Sequence, residues 1–187
     1  MAPTTWDTVH RRGEVLRAVV HEANARRDGI LPTDLPGVAE TFDDDFALLA
    51  ALALRWHTRL AGHIERALMD TPTDLEHAVL TAWRETAAEL DGVRRILDAY
   101  TEQPTSEEMA TALRTSRRKD RLMLAAMAGR AGVGDQRAER VGRALEEQAR
   151  AAYVPTSAVG QDPRHRATDE PTRHASFVGR LKAALVA

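Results

Sequence analysis

Residues Phe42 to Met69 read FDDDFALLAALALRWHTRLAGHIERALM, and the periodicity of this stretch settles the fold class. Phe42, Phe46, Leu49, Leu52, Ala53, Trp56, Leu60, Ile64 and Ala67 recur every three or four residues, the spacing of one broad apolar face of an α-helix. Extended back to Val38, the stretch predicts a single helix about 45 Å long at 1.5 Å per residue, the spine of the molecule. The triplet Asp43-Asp44-Asp45 falls in its early turns, where the helix dipole favours carboxylates. It lacks the alternating oxygen spacing of a calcium-binding loop.

The same pattern continues on both sides. Trp6, Val9, Leu16, Val19, Val20 and Ala23 predict a helix from about Thr5 to Arg27, stopped by Asp28-Gly29 and followed by a loop with Pro32 and Pro36. Downstream, Thr73 and Glu76 stand in capping-box relation ahead of Leu75, Val79, Trp83, Ala87 and Leu90. Asp91-Gly92 should break that helix before a short one carrying Val93, Ile96, Leu97 and Tyr100. A second capping box, Thr105 to Glu108, opens a helix to about Arg130, where Gly129, Gly132 and Gly134 end it. Asp135 is positioned to cap a last helix to Tyr153, with Ala138, Val141, Leu145 and Ala152 inward. Aromatic residues are only 4% and no alternating run of β-formers occurs. The expected fold is all-α, a helical bundle of about five to six helices over residues 1–153.

After Tyr153 the composition changes. Residues 154–174 hold Pro155, Pro163, Pro171 and Gly160 among mixed charges with almost no apolar side chain, which predicts a flexible linker. Residues 175–187 return to helical spacing, with Phe177, Val178, Leu181, Ala184 and Leu185 on one face. So short a helix is marginal alone in water and needs a surface to dock on. Tethered apolar anchors of this kind point to a protein-interaction or assembly module, gripping a protein partner or a second copy through Phe177, Val178, Leu181 and Leu185.

Composition narrows the remaining classes. The 187 residues are 29% charged and 43% hydrophobic, with no cysteine and a formal net charge of −2. Disulfide scaffolds, thiolate nucleophiles and cysteine-ligated metals are thereby excluded. No apolar run is long enough to span a bilayer, and MAPTTWDTVHRR has no signal-peptide core, so a cytoplasmic location is expected. Near-neutral charge argues against nucleic acid as a partner. So does the basic run Arg114, Arg117, Arg118, Lys119 and Arg121, which has no interleaved aromatics for base stacking. That run, and the flank formed by Arg55, Arg59 and Arg66, suit a phosphate or an acidic partner instead.

Three sets of residues carry possible chemistry. Asp120, with Ser116, falls near the centre of the apolar arc formed by Met109, Leu113, Leu124 and Met127. A carboxylate there requires a partner, with Arg117, Arg55, Arg59 or His63 as candidates. Asp120, His63 and Arg59 are therefore the candidate catalytic or ligand-anchoring residues of a polar site inside the bundle. Asp7, His10 and Glu14 share one face of the first helix and form a candidate metal set. His57 and His63 lie about 120° apart around their helix, too divergent for one ion, so each is expected to hydrogen-bond a neighbour. No phosphate-cradling glycine loop, nucleophile elbow or paired E-x-x-H motif is present, and no cofactor is called for. The alternative to an interaction module is thus a metal-dependent or small-molecule-binding enzyme with its site between helices.

Overall fold

The computed structural model describes residues 5–132 and 134–154, with side chains from His10 onward. Among them are seven helices and no strand: α1 (Thr5–Arg26), α2 (Val38–Thr41), α3 (Asp45–Asp70), α4 (Leu75–Glu89), α5 (Asp91–Glu102), α6 (Glu107–Met127) and α7 (Ala138–Ala151). The all-α bundle expected from periodicity is the observed fold. The chain divides into one unit spanning Met1–Pro155 and another spanning Thr156–Ala187. The second unit lies outside the described residues, and with it nearly all of the expected linker and the terminal helix bearing Phe177, Val178, Leu181 and Leu185.

α3 is the spine: it packs against α1, α4, α5 and α6. Leu48, Leu49, Leu52, Trp56, Leu60 and Ile64 are all essentially inaccessible to solvent, and burial of each contributes roughly 1.5–3 kcal/mol. Trp56 meets Trp83 of α4 edge to face, ring centres 5.8 Å apart, and Trp83 meets Tyr153 in the same manner at 6.3 Å. α3 pairs with α4 across a short loop and α6 with α7 across a longer one, and α5 packs against α1, α3, α4 and α6.

The predicted single helix from Val38 to Met69 is broken. α2 is one turn long, Phe42 adopts an extended conformation with its ring buried, and Asp44 caps α3 by accepting from the Ala47 amide at 2.7 Å. The acidic triplet is thus the start of the helix rather than its early turns, because an aspartate side chain that bonds the backbone three residues on favours a helix boundary over a helix interior. Both predicted capping boxes shift by one residue for the same reason. Asp74, not Thr73, accepts from His77 N, and Ser106, not Thr105, accepts from Met109 N. α6 ends at Met127 rather than Arg130, in a Schellman arrangement around left-handed Gly129: Arg130 N donates to Ala125 O and Gly129 N to Ala126 O, both at 3.0 Å. The inward face of α7 is Ala138, Gly142, Leu145, Glu146 and Ala149, whereas Ala152 is exposed.

Two glycines permit close helix crossings. A Cβ on Gly92 would lie 1.9 Å from the Ala23 carbonyl oxygen, and one on Gly142 would lie 1.9 Å from the Arg121 carbonyl oxygen. At the first crossing Asn24 of α1 closes both ends of the α4–α5 break. Its amide donates to Glu89 O at 2.8 Å and its carbonyl accepts from Gly92 N at 2.9 Å, satisfying two backbone groups that the break would otherwise orphan.

Candidate functional site

α3 and α6 run side by side in the same direction, and residues three and four apart on each face a common groove. α3 supplies Phe46, Leu49, Ala50, Ala53, Leu54 and His57. α6 supplies Met109, Ala112, Leu113, Thr115, Ser116 and Lys119. The groove encloses about 410 Å³ and runs about 16 Å from Phe46 to His57 at the helical rise. Its polarity is graded. One end is Phe46, Leu49, Met109 and Ala112; the other gathers His57, Thr115, Ser116 and Lys119.

Behind the polar end stands Asp120, 7% exposed, with Oδ1 2.6 Å from Nδ1 of His57. The buried carboxylate therefore does find a partner, as the sequence demands, and that partner is none of the four expected. Arg117 turns away to Glu146, and His63 and Arg59 lie on another flank of α3. There His63 places Nδ1 3.0 Å from Glu85 and Nε2 3.0 Å from Glu89, while Arg59 Nε meets the same Glu89 oxygen at 2.6 Å. Asp120, His63 and Arg59 therefore do not form one site: the first belongs to α3–α6 and the other two stitch α3 to α4. Each histidine pairs with a neighbour, as its place at a margin of the core stripe predicts.

The carboxylate fixes what the imidazole can do. Asp120 raises the pKa of His57 above its ordinary value near 6.5, chiefly through the hydrogen bond, against opposition from partial burial and from the Lys119 cation. With Nδ1 tied to Asp120, Nε2 is the ring nitrogen presented to a ligand, and the ring is held in orientation. His57 and Asp120 together balance to near zero charge when the ring is protonated. Lys119, which makes no ion pair among the described residues, then gives the end of the groove a net positive charge.

α6 is held in place from its other side. Glu146 of α7, 4% exposed, accepts from Arg117 at 2.9 Å, Arg121 at 2.8 Å and Arg150 at 3.0 Å. Arg150 also reaches Asp98, which Arg94 binds while stacking over Trp56. Burial pushes the Glu146 carboxyl up, but Arg117, Arg121 and Arg150 outweigh it and hold the group down at about 2. The same opposition of burial by Arg94 and Arg150 keeps Asp98 well below the usual carboxylate range. This charge cluster, with the Gly142 crossing, fixes the register of the helix that carries Ser116, Lys119 and Asp120.

On the face of α1 proposed for a metal, His10 and Glu14 are exposed, and the side chain of Asp7 lies outside the described residues. Among the described residues no group of three or more histidine, aspartate or glutamate side chains is placed to hold an ion. No helix is long and apolar enough to cross a membrane among those residues. No family model, curated protein or solved structure matches the chain.

Sequence reasoning missed His57 as the partner of Asp120, and missed the groove altogether. One signal for the groove was present: Phe46 to Leu54 are nine consecutive apolar residues, more than a single face of a helix needs.

Proposed function

We propose that the chain is a binding protein for a small apolar acid, seated in the α3–α6 groove with its hydrocarbon body against Phe46, Leu49, Leu54, Met109 and Leu113 and its carboxylate at His57 and Lys119. The observation that carries this reading is the graded groove: apolar walls closing on an imidazole that a buried carboxylate orients, beside a lysine with no ion pair among the described residues. A volume of about 410 Å³ is in the range that holds small ligands. Ser116, His57 and Asp120 bring to mind a hydrolytic triad, but the geometry favours binding. Ser116 makes no hydrogen bond to His57, and both flanking helices are in mid-course, so their backbone amides are committed to helical bonds and leave no oxyanion donors. The assembly role expected of Phe177, Val178, Leu181 and Leu185 is a separate proposal resting on sequence alone.

Calorimetric titration of the full chain with decanoate tests the reading, with decanol as the control that keeps the chain and removes the charge. Decanoate should bind with one site and decanol at least about tenfold more weakly, since a charge-assisted hydrogen bond is worth about 1.5–3 kcal/mol. His57→Gln and Lys119→Gln should each weaken decanoate about tenfold and leave decanol unchanged. Equal affinity for the two probes, or indifference to both substitutions, would discard the proposal.

A further inference from the structure

α3 is apolar on more of its circumference than the bundle covers. Leu48, Leu49, Leu52 and Ala53 face inward, while exposed Ala50 and Leu54, the latter 65% accessible, and half-buried Ala47 and Ala51, which still pack on the core, form a second stripe. This stripe floors a second groove, of about 540 Å³, between α3 and α1, with Leu16 and Gly13 in the α1 wall. Its rim is cationic. Arg12 and Arg55 line it, and the Arg17 guanidinium folds over Gly13, 3.6 Å from where a Cβ would stand. Arg12 stacks on Phe42 and donates to the Thr41 carbonyl. Among the described residues none of the three arginines meets a carboxylate and no acidic side chain lines the groove.

We infer that this α1–α3 groove is a docking site for an amphipathic helix of a partner protein, one whose apolar stripe is flanked by glutamate or aspartate. Small residues along the floor let a helix approach closely, and Leu54 stands as a ridge for it to straddle. Charge selects the occupant. Two copies paired through this face would bring arginine rims together. The chain's own residues 175–187 carry Arg180 and Lys182 and no carboxylate side chain. Either would confront like charge with like among the described residues, whereas an acidic helix would neutralise Arg12, Arg17 and Arg55 while burying the stripe.

The test uses the full chain and two labelled synthetic helical peptides that share one leucine stripe and carry either glutamate or lysine along its flanks. Fluorescence anisotropy should give the glutamate peptide at least about tenfold tighter binding, narrowed by added salt as screening demands. Arg55→Glu, which leaves Arg12 and Arg17 opposite one carboxylate, should narrow the preference. Leu54→Gln, at an exposed position that leaves the core intact, should weaken both peptides. Ala50 and Leu54 border both grooves, but His57 and Lys119 line the small-acid groove alone, so His57→Gln and Lys119→Gln should change nothing here and tell the two sites apart. Three results would overturn the inference. They are binding that ignores peptide charge or is absent for both peptides, a solution dimer that Arg55→Glu or Leu54→Gln dissociates, and a glutamate-peptide affinity that rises when Phe177→Glu is introduced, which would make the chain's own end the occupant.

Discussion

Replacing Glu146 by glutamine removes one charge from the centre of the α6–α7 contact without changing its shape. In the folded chain the Glu146 carboxyl is held at about 2, against 4.5 for an unperturbed glutamate. That difference corresponds to about 3 kcal/mol of folding stability at neutral pH. The group's pKa is depressed on folding, so its contribution is complete above about pH 4.5 and is lost as the pH falls towards 2; by pH 3 more than half of it is gone. A comparable figure comes from the general cost of breaking a buried ion pair, about 3–5 kcal/mol, because Arg117 and Arg121 would lose their carboxylate partner and Arg150 would keep only Asp98. For a chain of this length Glu146→Gln should therefore lower Tm by about 6–12 °C at pH 7. Unfolding followed by the fluorescence of buried Trp56 and Trp83, for both proteins at pH 7 and pH 3, reads the effect directly. A loss under about 1 kcal/mol at pH 7, or an equal loss at both pH values, would refute the claim that this cluster holds α6 in register.

Other outcomes follow from the same geometry. Gly92→Ala must push α5 away from the Ala23 carbonyl and break both Asn24 bonds, so a loss of about 3 kcal/mol in urea unfolding is expected; a near-neutral result would contradict the close crossing. Asp44→Ala removes the cap of α3 and should lower stability by about 1 kcal/mol, with Asp43→Ala as a control that does little. Asp120 raises the pKa of His57 in the folded state, so the pair's contribution is complete below about pH 6.5 and is lost as pH climbs through the folded value. Asp120→Asn should flatten that decline in a series of unfolding curves between pH 5 and pH 8, and an unaltered slope would show that the pair does not titrate as a unit.

The bundle was legible because its helices are long and their apolar spacing regular: Trp56, Leu60 and Ile64 could only face inward together. Boundaries were less so. Asp44, Asp74 and Ser106 each displaced a neighbouring residue as cap, since the choice depends on which side chain the chain's entry angle aims at the amide three residues on. Asp120 was legible as a buried carboxylate from its phase on α6, but the identity of its partner was not. That depends on which turn of α3 lies opposite, which the Gly142 crossing and the Glu146 cluster set from the far side of α6. Arg117, the natural guess from its spacing to Asp120, is drawn off by Glu146, a residue 29 positions away. His63 and Arg59 share a helix with His57, yet their turn of it faces α4.

In the proposed function His57 is the group that receives the ligand carboxylate. Its ring resonances, assigned by their loss in His57→Gln, can be followed by NMR through a pH titration with and without saturating decanoate. A bound carboxylate at Nε2 favours the imidazolium, so the midpoint should move to higher pH in the presence of decanoate and return towards the ligand-free value with decanol. A midpoint that decanoate leaves in place, while other groove residues respond, would show that the acid does not meet His57 and would contradict the proposed function.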